Sequence, residues 1–327
     1  GLDVGASGAF GRLKKFFSRG ADSRIMGQEV TKSDSKPGGV VSVVLPAYNE
    51  ESTVAAEIDA IRRAMTATPW PFEILVVDDG SKDRTAEVAA SKGVRLIRHS
   101  INRGVGAARK TGILEASGEI IVTSDADGTY PHEDIPKLLE CFPDFDMAIG
   151  ARTLVAQEPF YRLWPKNTIR LLASRLSGVD IKDLNTGLRA FKKSVAVRYF
   201  SLLPEGHSWE STITLAFLCN GHPVRFIPIN YFKRKGGHST FHPLKDTYSM
   251  ILLVIRTVMY FNPLRVLLPL SILFIGISCV KIVYDWIKYH HVGGLDVSLF
   301  LTGILIGVAG FLADLLVMLH RKNIPRI

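Results

Sequence analysis

Three acidic clusters carry the chemistry of this chain: Pro46-Ala47-Tyr48-Asn49-Glu50, Asp78-Asp79-Gly80-Ser81 and Asp125-Ala126-Asp127, each after a short β-branched run. Carboxylates repel one another, so gathering them is unfavourable unless a cation or hydrogen-bond donors compensate. Asp125 and Asp127 at a strand end would aim at one spot, because alternate residues of a strand share a face. Hard oxygen ligands select Mg²⁺ or Mn²⁺, and Mg²⁺ usually takes one or two carboxylates together with substrate phosphates. The implied chemistry is a metal–diphosphate site. A lone Asp-x-Asp is more often a turn or a helix cap; three clusters in one context reverse those odds.

The elements that must position them form a regular series. Strands are predicted over 39–46, 72–79, 94–98, 119–127 and 145–152, with helical spacing over 51–66, 83–92, 103–117 and 133–141. Such alternation implies an α/β fold, a mostly parallel sheet with helices on both faces. Ligands of such sheets bind at the carboxyl ends of the strands, where the three clusters fall. No GxxxxGK[ST] loop is present, and Gly104-Val105-Gly106 follows the third strand without a third glycine, so ATPase and dehydrogenase readings fall away.

The 327 residues are 47% apolar and 22% charged, too apolar for a disordered chain. The apolar excess is concentrated in two stretches, 266–287 and 297–319, each long enough to cross a bilayer. Their charges are Lys281, Asp285 and Asp314, read as helix pairing, headgroup contact or snorkelling. Arg256 and Arg265 before the pair, and His320-Arg321-Lys322 and Arg326 after it, predict a cytoplasmic catalytic domain with both termini cytoplasmic. Residues 246–263 read as an interfacial amphipathic helix or as a helix packed on the catalytic domain. Residues 1–38 form a basic leader, either disordered or touching anionic lipid, with no apolar core of a signal peptide. The net charge of +9 is densest over 225–256, where Arg225, Lys233, Arg234, Lys235, Lys245 and Arg256 face Asp246 alone. Followed by membrane spans, that cluster points to lipid rather than to nucleic acid. Cys141, Cys219 and Cys279 have no metal-ligand spacing and read as buried small hydrophobes.

The segments PAYNE, VVDDGS, NRGVGAARKTGILEASG and IIVTSDADGTYP, in this order, resemble inverting family 2 glycosyltransferases of the GT-A fold over about 40–240. Downstream, DLNTGLRAF (183–191), HSWESTI (207–213) and RKGGHSTF (234–241), followed by two spans, resemble the polyprenyl-phosphate branch. That branch includes dolichyl-phosphate mannose synthases and bactoprenyl-phosphate glucosyltransferases. The resemblance implies a GT-A catalytic domain over 39–245 and a nucleotide-sugar donor. Pro46, Tyr48 and Glu50 would hold the base, and Asp78 or Asp79 the base or ribose. Asp125 and Asp127 would carry the metal, while Arg152, Arg234 and Ser239 would receive the acceptor phosphate. Asp183, Asn185 and Arg189 would line the sugar and reaction centre, with Glu210 facing the cleft. Resemblance to bactoprenyl members also implies a homotetramer.

Three positions depart from the family pattern. Thr240 stands where a lysine is common, Thr129 where mannose synthases have a glutamine, and Asn185 where glucosyl members often have Asp. The last two pull in different directions on the sugar, and the balance leans slightly to a UDP-sugar over GDP-mannose. The expected reaction is attack of a lipid phosphate oxygen on the anomeric carbon, which needs no strong base because a phosphate monoester is already an anion near neutral pH. Alternatives are a transferase with a sugar-hydroxyl acceptor and a non-catalytic nucleotide-sugar-binding membrane module.

Overall fold

The computed structural model describes residues 39–153, 170–206, 208–232 and 243–322. Its core is a seven-stranded sheet of order β3-β2-β1-β4-β6-β5-β7. Strand β1 (Val41–Ala47) is buried along its whole length, as a continuous apolar run between two parallel neighbours must be. Those neighbours are β2 (Phe72–Asp78) and β4 (Ile120–Thr123), and β3 (Arg95–Arg98) extends the parallel half beyond β2. The first crossover helix, α1 (Val54–Thr66), places Val54, Ile58, Ile61 and Met65 on one buried face. Helices α2 (Thr85–Ser91), α3 (Val105–Glu115) and α4 (Ile135–Leu139) follow β2, β3 and β4. Five strands and four helices therefore lie close to where the alternation of apolar runs predicts them.

The other half of the sheet departs from the simple parallel pattern. After β5 (Met147–Arg152) and helix α5 (170–177), strand β6 (Arg189–Lys192) inserts between β4 and β5, antiparallel to both. Helix α6 (Lys193–Val197), helix α7 (Trp209–Cys219) and strand β7 (Val224–Ile229), parallel to β5, complete it. This insertion ends β4 at Thr123, earlier than the predicted 127. Thr123 pairs with Arg189, and its hydroxyl donates to the Gly187 carbonyl at 2.9 Å. Asp125 and Asp127 thus lie in the loop beyond the strand, and strand alternation does not orient them.

Helix α8 (Pro243–Phe261) rests on the catalytic domain: Val254, Val258 and Phe261 are buried in a cluster with Leu215 and Leu218 of α7. Tyr248, Leu252 and Tyr260 on the same helix are exposed. Helices α9 (Leu264–Tyr289) and α10 (Gly294–Lys322) form a hairpin, each long and apolar enough to span a bilayer. Its seam uses small residues and polar bonds, as helix pairs in lipid do. Ser271 Oγ donates to the Gly303 carbonyl at 2.7 Å, and Ser278 Oγ to the Asp296 carbonyl at 2.6 Å. A Cβ on Gly303 would fall 2.6 Å from Ile275 Cγ1, so only glycine allows this approach. Lys281 bridges Asp285 (2.5 Å) and Asp296 (2.6 Å), which makes the pair of spans one ion-paired unit. At the domain end, Arg265 Nη1 donates to the Leu176 carbonyl of α5 at 3.0 Å, fastening the hairpin to the catalytic domain.

Candidate active site

The three acidic clusters stand together at the carboxyl end of β1, β2 and β4. Asn49 takes a left-handed conformation (φ 55°), which turns the chain sharply after β1. Its backbone N–H donates to Ser81 Oγ at 2.9 Å and its Oδ1 accepts from the Lys82 N–H at 2.9 Å. The Glu50 N–H donates to Thr85 Oγ1 at 2.8 Å, and Thr53 Oγ1 donates to the Ala126 carbonyl at 2.7 Å. The loops after all three strands are therefore laced to one another. Pro46 is buried in β1, whereas Tyr48 is exposed beside it.

The two adjacent aspartates after β2 have separate roles. Asp79 is saturated by His99 Nδ1 (2.6 Å) and the backbone N–H groups of Arg103 (3.0 Å) and Gly104 (2.8 Å), which fix the loop entering α3. Asp78 accepts from the Ser81 N–H at 3.0 Å, while its Oδ2 lies 3.1 Å from Arg98 Nε without a hydrogen bond. Of the pair, Asp78 is the one with an oxygen left outside the hydrogen-bond network.

Asp125 is pinned from two sides. Arg109 Nη2 donates to its Oδ1 at 2.5 Å, and its Oδ2 sits against Gly187, where a Cβ would stand only 2.5 Å away. Arg109 is 1% exposed and also pairs through Nη1 with Glu210 on the first turn of α7. Burial works against the Arg109 charge, but Glu210 and Asp125 outweigh it and raise its pKa, so it stays a cation. Asp127 receives the Thr129 hydroxyl at 2.6 Å and the Thr129 N–H at 3.2 Å. Thr129, noted in the sequence as a departure from the glutamine of mannose synthases, thus orients a carboxylate. Next to it, the Tyr130 hydroxyl accepts from the Gly187 N–H at 2.8 Å; burial and then the Asp125 charge keep that phenol protonated.

Arg152 and Asp183 meet each other. Arg152 Nε and Nη2 donate to the two Asp183 oxygens at 2.6 and 2.9 Å, and the Asn185 N–H adds a bond to Asp183 at 3.1 Å. Burial raises the Asp183 carboxyl, yet Arg152 outweighs burial and holds it below its ordinary range. The Arg152 guanidinium lies 5.1 Å from the Tyr231 ring, which packs edge-on against Tyr130. Arg189, expected at the reaction centre, is instead completely enclosed. It donates to the Thr186 carbonyl, to the Glu210 carbonyl at 2.9 Å and to Thr214 Oγ1 at 2.9 Å. Burial pulls its pKa down to about 10, so it remains charged near neutrality. Its place on β6, between β4 and β5, explains why it faces the core. Arg234 and Ser239, and with them Thr240, lie outside the described residues.

Sequence reasoning passed over Arg109. It sits in VGAARKTGILE, where small residues dominate and no apolar stripe marks the buried face. The available signal was the flanking Ala107, Ala108 and Gly112, whose small size brings α3 close to the sheet and encloses any long side chain between them.

Comparison with known proteins agrees with this architecture. Glycosyl transferase family 2 matches residues 42–200, and the GtrB C-terminal hairpin matches residues 262–319. The chain is 31% identical over 240 residues to an undecaprenyl-phosphate 4-deoxy-4-formamido-L-arabinose transferase of Pseudomonas aeruginosa, covering 71% of this chain and 68% of that one. Its counterpart in Edwardsiella ictaluri is 30% identical over 243 residues, covering 72% of each. Among solved structures, Mycobacterium tuberculosis glucosyl-3-phosphoglycerate synthase in complex with Mn²⁺, UDP and phosphoglyceric acid superposes with a TM-score of 0.53 at 21% identity, over 68% of this chain and 78% of that chain. Mannosyl-3-phosphoglycerate synthase from Rubrobacter xylanophilus gives a TM-score of 0.51 at 22% identity, over 68% and 73%. These likenesses establish the GT-A fold. With a relative 31% identical over more than two thirds of its length, and with the two family matches falling on the α/β fold and on the apolar helix pair, the chain belongs to glycosyltransferase family 2 and carries a GtrB-type C-terminal hairpin.

Proposed function

We propose that this glycosyltransferase moves a sugar from a nucleotide sugar to a polyprenyl or dolichyl phosphate, inverting the anomeric centre and releasing a nucleoside diphosphate. The observation that carries this reading is the state of the two carboxylates beside the Asp-x-Asp loop. Asp183 is locked to Arg152, which holds its carboxyl below the ordinary range, and Glu210 is paired with the buried Arg109. A general base works best with a pKa near the working pH, and a carboxyl held below its ordinary range is far from that. A phosphate acceptor needs no base: its second pKa is about 6, so an oxygen is already free to attack. The relatives that act on undecaprenyl phosphate and the membrane hairpin support the same acceptor.

The residues fit a divalent cation. Among the described residues no group of three or more His, Cys, Asp or Glu side chains gathers into a metal cage. Asp125 and Asp127 offer hard oxygens of the kind Mg²⁺ or Mn²⁺ takes, and donor phosphates and water would complete the shell. Bound there, the ion would neutralise the leaving diphosphate. Pro46, Tyr48, Glu50 and Asp78 line the donor's nucleoside, with Asp79 fixing the neighbouring loop that enters α3. Asn185 and the Arg152–Asp183 pair border the sugar. Arg152 keeps Nη1 outside its pair with Asp183, and together with Arg234 and Ser239 it orients the acceptor phosphate. Thr129 and Asn185 pull in different directions on the sugar, and the balance leans slightly to a UDP-sugar over GDP-mannose. The basic residues flanking the spans support a cytoplasmic catalytic domain with both ends on that side, and the exposed Tyr248, Leu252 and Tyr260 support α8 lying at the lipid surface.

The test is a panel of labelled nucleotide sugars with undecaprenyl or dolichyl phosphate, purified protein and Mn²⁺ or Mg²⁺. Label should enter the organic phase from one donor, and Asp127→Ala or chelator should abolish it. Donor binding without lipid labelling would reject the acceptor.

A further inference from the structure

Beside the Asp-x-Asp loop lies a buried ionic triad whose members come from three elements. Arg109 comes from α3, Glu210 from α7 and Asp125 from the loop after β4. The guanidinium is 1% exposed and Glu210 8%, whereas the Asp125 side chain keeps 30% of its surface. The cation therefore sits beneath the rim and the aspartate faces out from it. We propose that Arg109 and Glu210 form a strut that sets the position and the charge of Asp125, and that Glu210 is a positioning residue acting through Arg109. This rests on the reading of Asp125 and Asp127 as the cation-binding pair.

Three features of the geometry support a strut. The spacing between α3 and α7 is fixed by backbone, since the Ala107 N–H donates to the Glu205 carbonyl at 3.1 Å just before α7. The first turn of α7 is held in turn by Arg189, which grips both the Glu210 carbonyl and the Thr186 carbonyl beside Gly187. Trp209 fills the space between the arginines, with its ring 5.3 Å from the Arg109 guanidinium and 6.0 Å from that of Arg189. Asp125 thus sits between two walls that share one buried frame.

The charges make Glu210 necessary. Arg109 alone would neutralise Asp125 and weaken its hold on a divalent cation. With Glu210 on the other fork of the guanidinium, the triad keeps a net charge of −1, and Asp125 is oriented without being cancelled. A planar fork can hold two carboxylates in fixed directions, which an ammonium cannot.

The experiment titrates Mn²⁺ by electron paramagnetic resonance, with UDP and then GDP present, on the full-length protein in detergent. Glu210→Gln and Arg109→Lys should each weaken Mn²⁺ binding by about 10–100-fold, the range found when groups that orient metal ligands are removed. Turnover of Glu210→Gln should recover as Mn²⁺ is raised. Arg109→Met combined with Glu210→Leu replaces the pair by apolar side chains of similar length, a change buried ion pairs often tolerate. That double variant should fold, as checked by thermal melting, and still bind Mn²⁺ more weakly because Asp125 has lost its pin. Wild-type Mn²⁺ affinity in the variants would overturn the strut. So would a Glu210→Gln enzyme whose metal binding is intact but whose turnover no metal concentration restores, the mark of a base acting on substrate. If the wild-type protein binds no Mn²⁺ with either nucleotide, the functional reading itself fails, and the strut with it.

Discussion

Gly187→Ala offers the sharpest probe of how tightly the Asp-x-Asp loop is positioned. The added Cβ would stand 2.5 Å from Asp125 Oδ2 and 2.9 Å from its Cγ, whereas ordinary contact begins near 3.4 Å. The carboxylate must retreat by the difference, about 0.9 Å. It cannot do so freely, because Arg109 holds the other oxygen at 2.5 Å. A misplacement of roughly 1 Å at a reacting group can cost about 10²-fold in rate, so transfer should fall about a hundredfold. The fold should survive, since overpacking of this kind costs about 1–3 kcal/mol. The Tyr130–Gly187 hydrogen bond uses backbone and is unaffected. The assay compares turnover, metal activation and melting temperature of the two proteins in the same detergent. An alanine variant that melts normally and retains wild-type turnover at low metal would refute the claim that Asp125 is held in place by its neighbours.

Other consequences follow from single contacts. Thr129→Val removes the hydroxyl that bonds Asp127 Oδ1 and should lower turnover and metal affinity by at least tenfold, with Thr129→Ser restoring both; equal metal activation curves would contradict it. Asp183 has a folded pKa depressed below its ordinary 3.8, so its contribution to stability is present above pH 3.8 and is lost as pH falls through the folded value. Asp183→Asn should therefore be less stable than wild type at neutral pH, with the gap closing only in more acid solution; a gap constant with pH in melting curves would reject the Arg152 pairing. In the hairpin, Gly303→Leu should lower the melting temperature by several degrees, because its Cβ meets Ile275 at 2.6 Å. Gly276→Leu points into open space and should leave it unchanged. Equal effects at the two glycines would mean that the α9–α10 seam is misassigned.

The parallel half of the fold was legible because each strand is a compact apolar run followed by a helix-forming segment. Such runs are what two-sided burial demands. The antiparallel insertion was not. RAFK is only four residues long and VRFIPI carries a proline, so neither stands out from a loop by periodicity. Without β6, the apolar run alone extends β4 to 127, past Thr123, where pairing with Arg189 ends it. The acidic clusters were visible as residue types at strand ends, but the way they are satisfied was not. Nothing in the sequence distinguishes Asp79, bonded to the loop entering α3, from Asp78 beside it. Nor does the sequence reveal that Arg152 and Asp183 are partners, since 31 residues separate them and both were assigned to ligands. Arg189 was placed at the reaction centre by its motif, and only strand register shows that it lies beneath.

The central claim is that a sugar alone, not a sugar phosphate, passes from the nucleotide to a lipid phosphate. It is tested most directly by identifying both products of one reaction with the donor that labels lipid. The account predicts a nucleoside diphosphate in the aqueous phase and a lipid whose mass has risen by one glycosyl unit, joined through a single phosphate with inverted anomeric configuration. A nucleoside monophosphate with a lipid diphosphate, or a retained configuration, would contradict it.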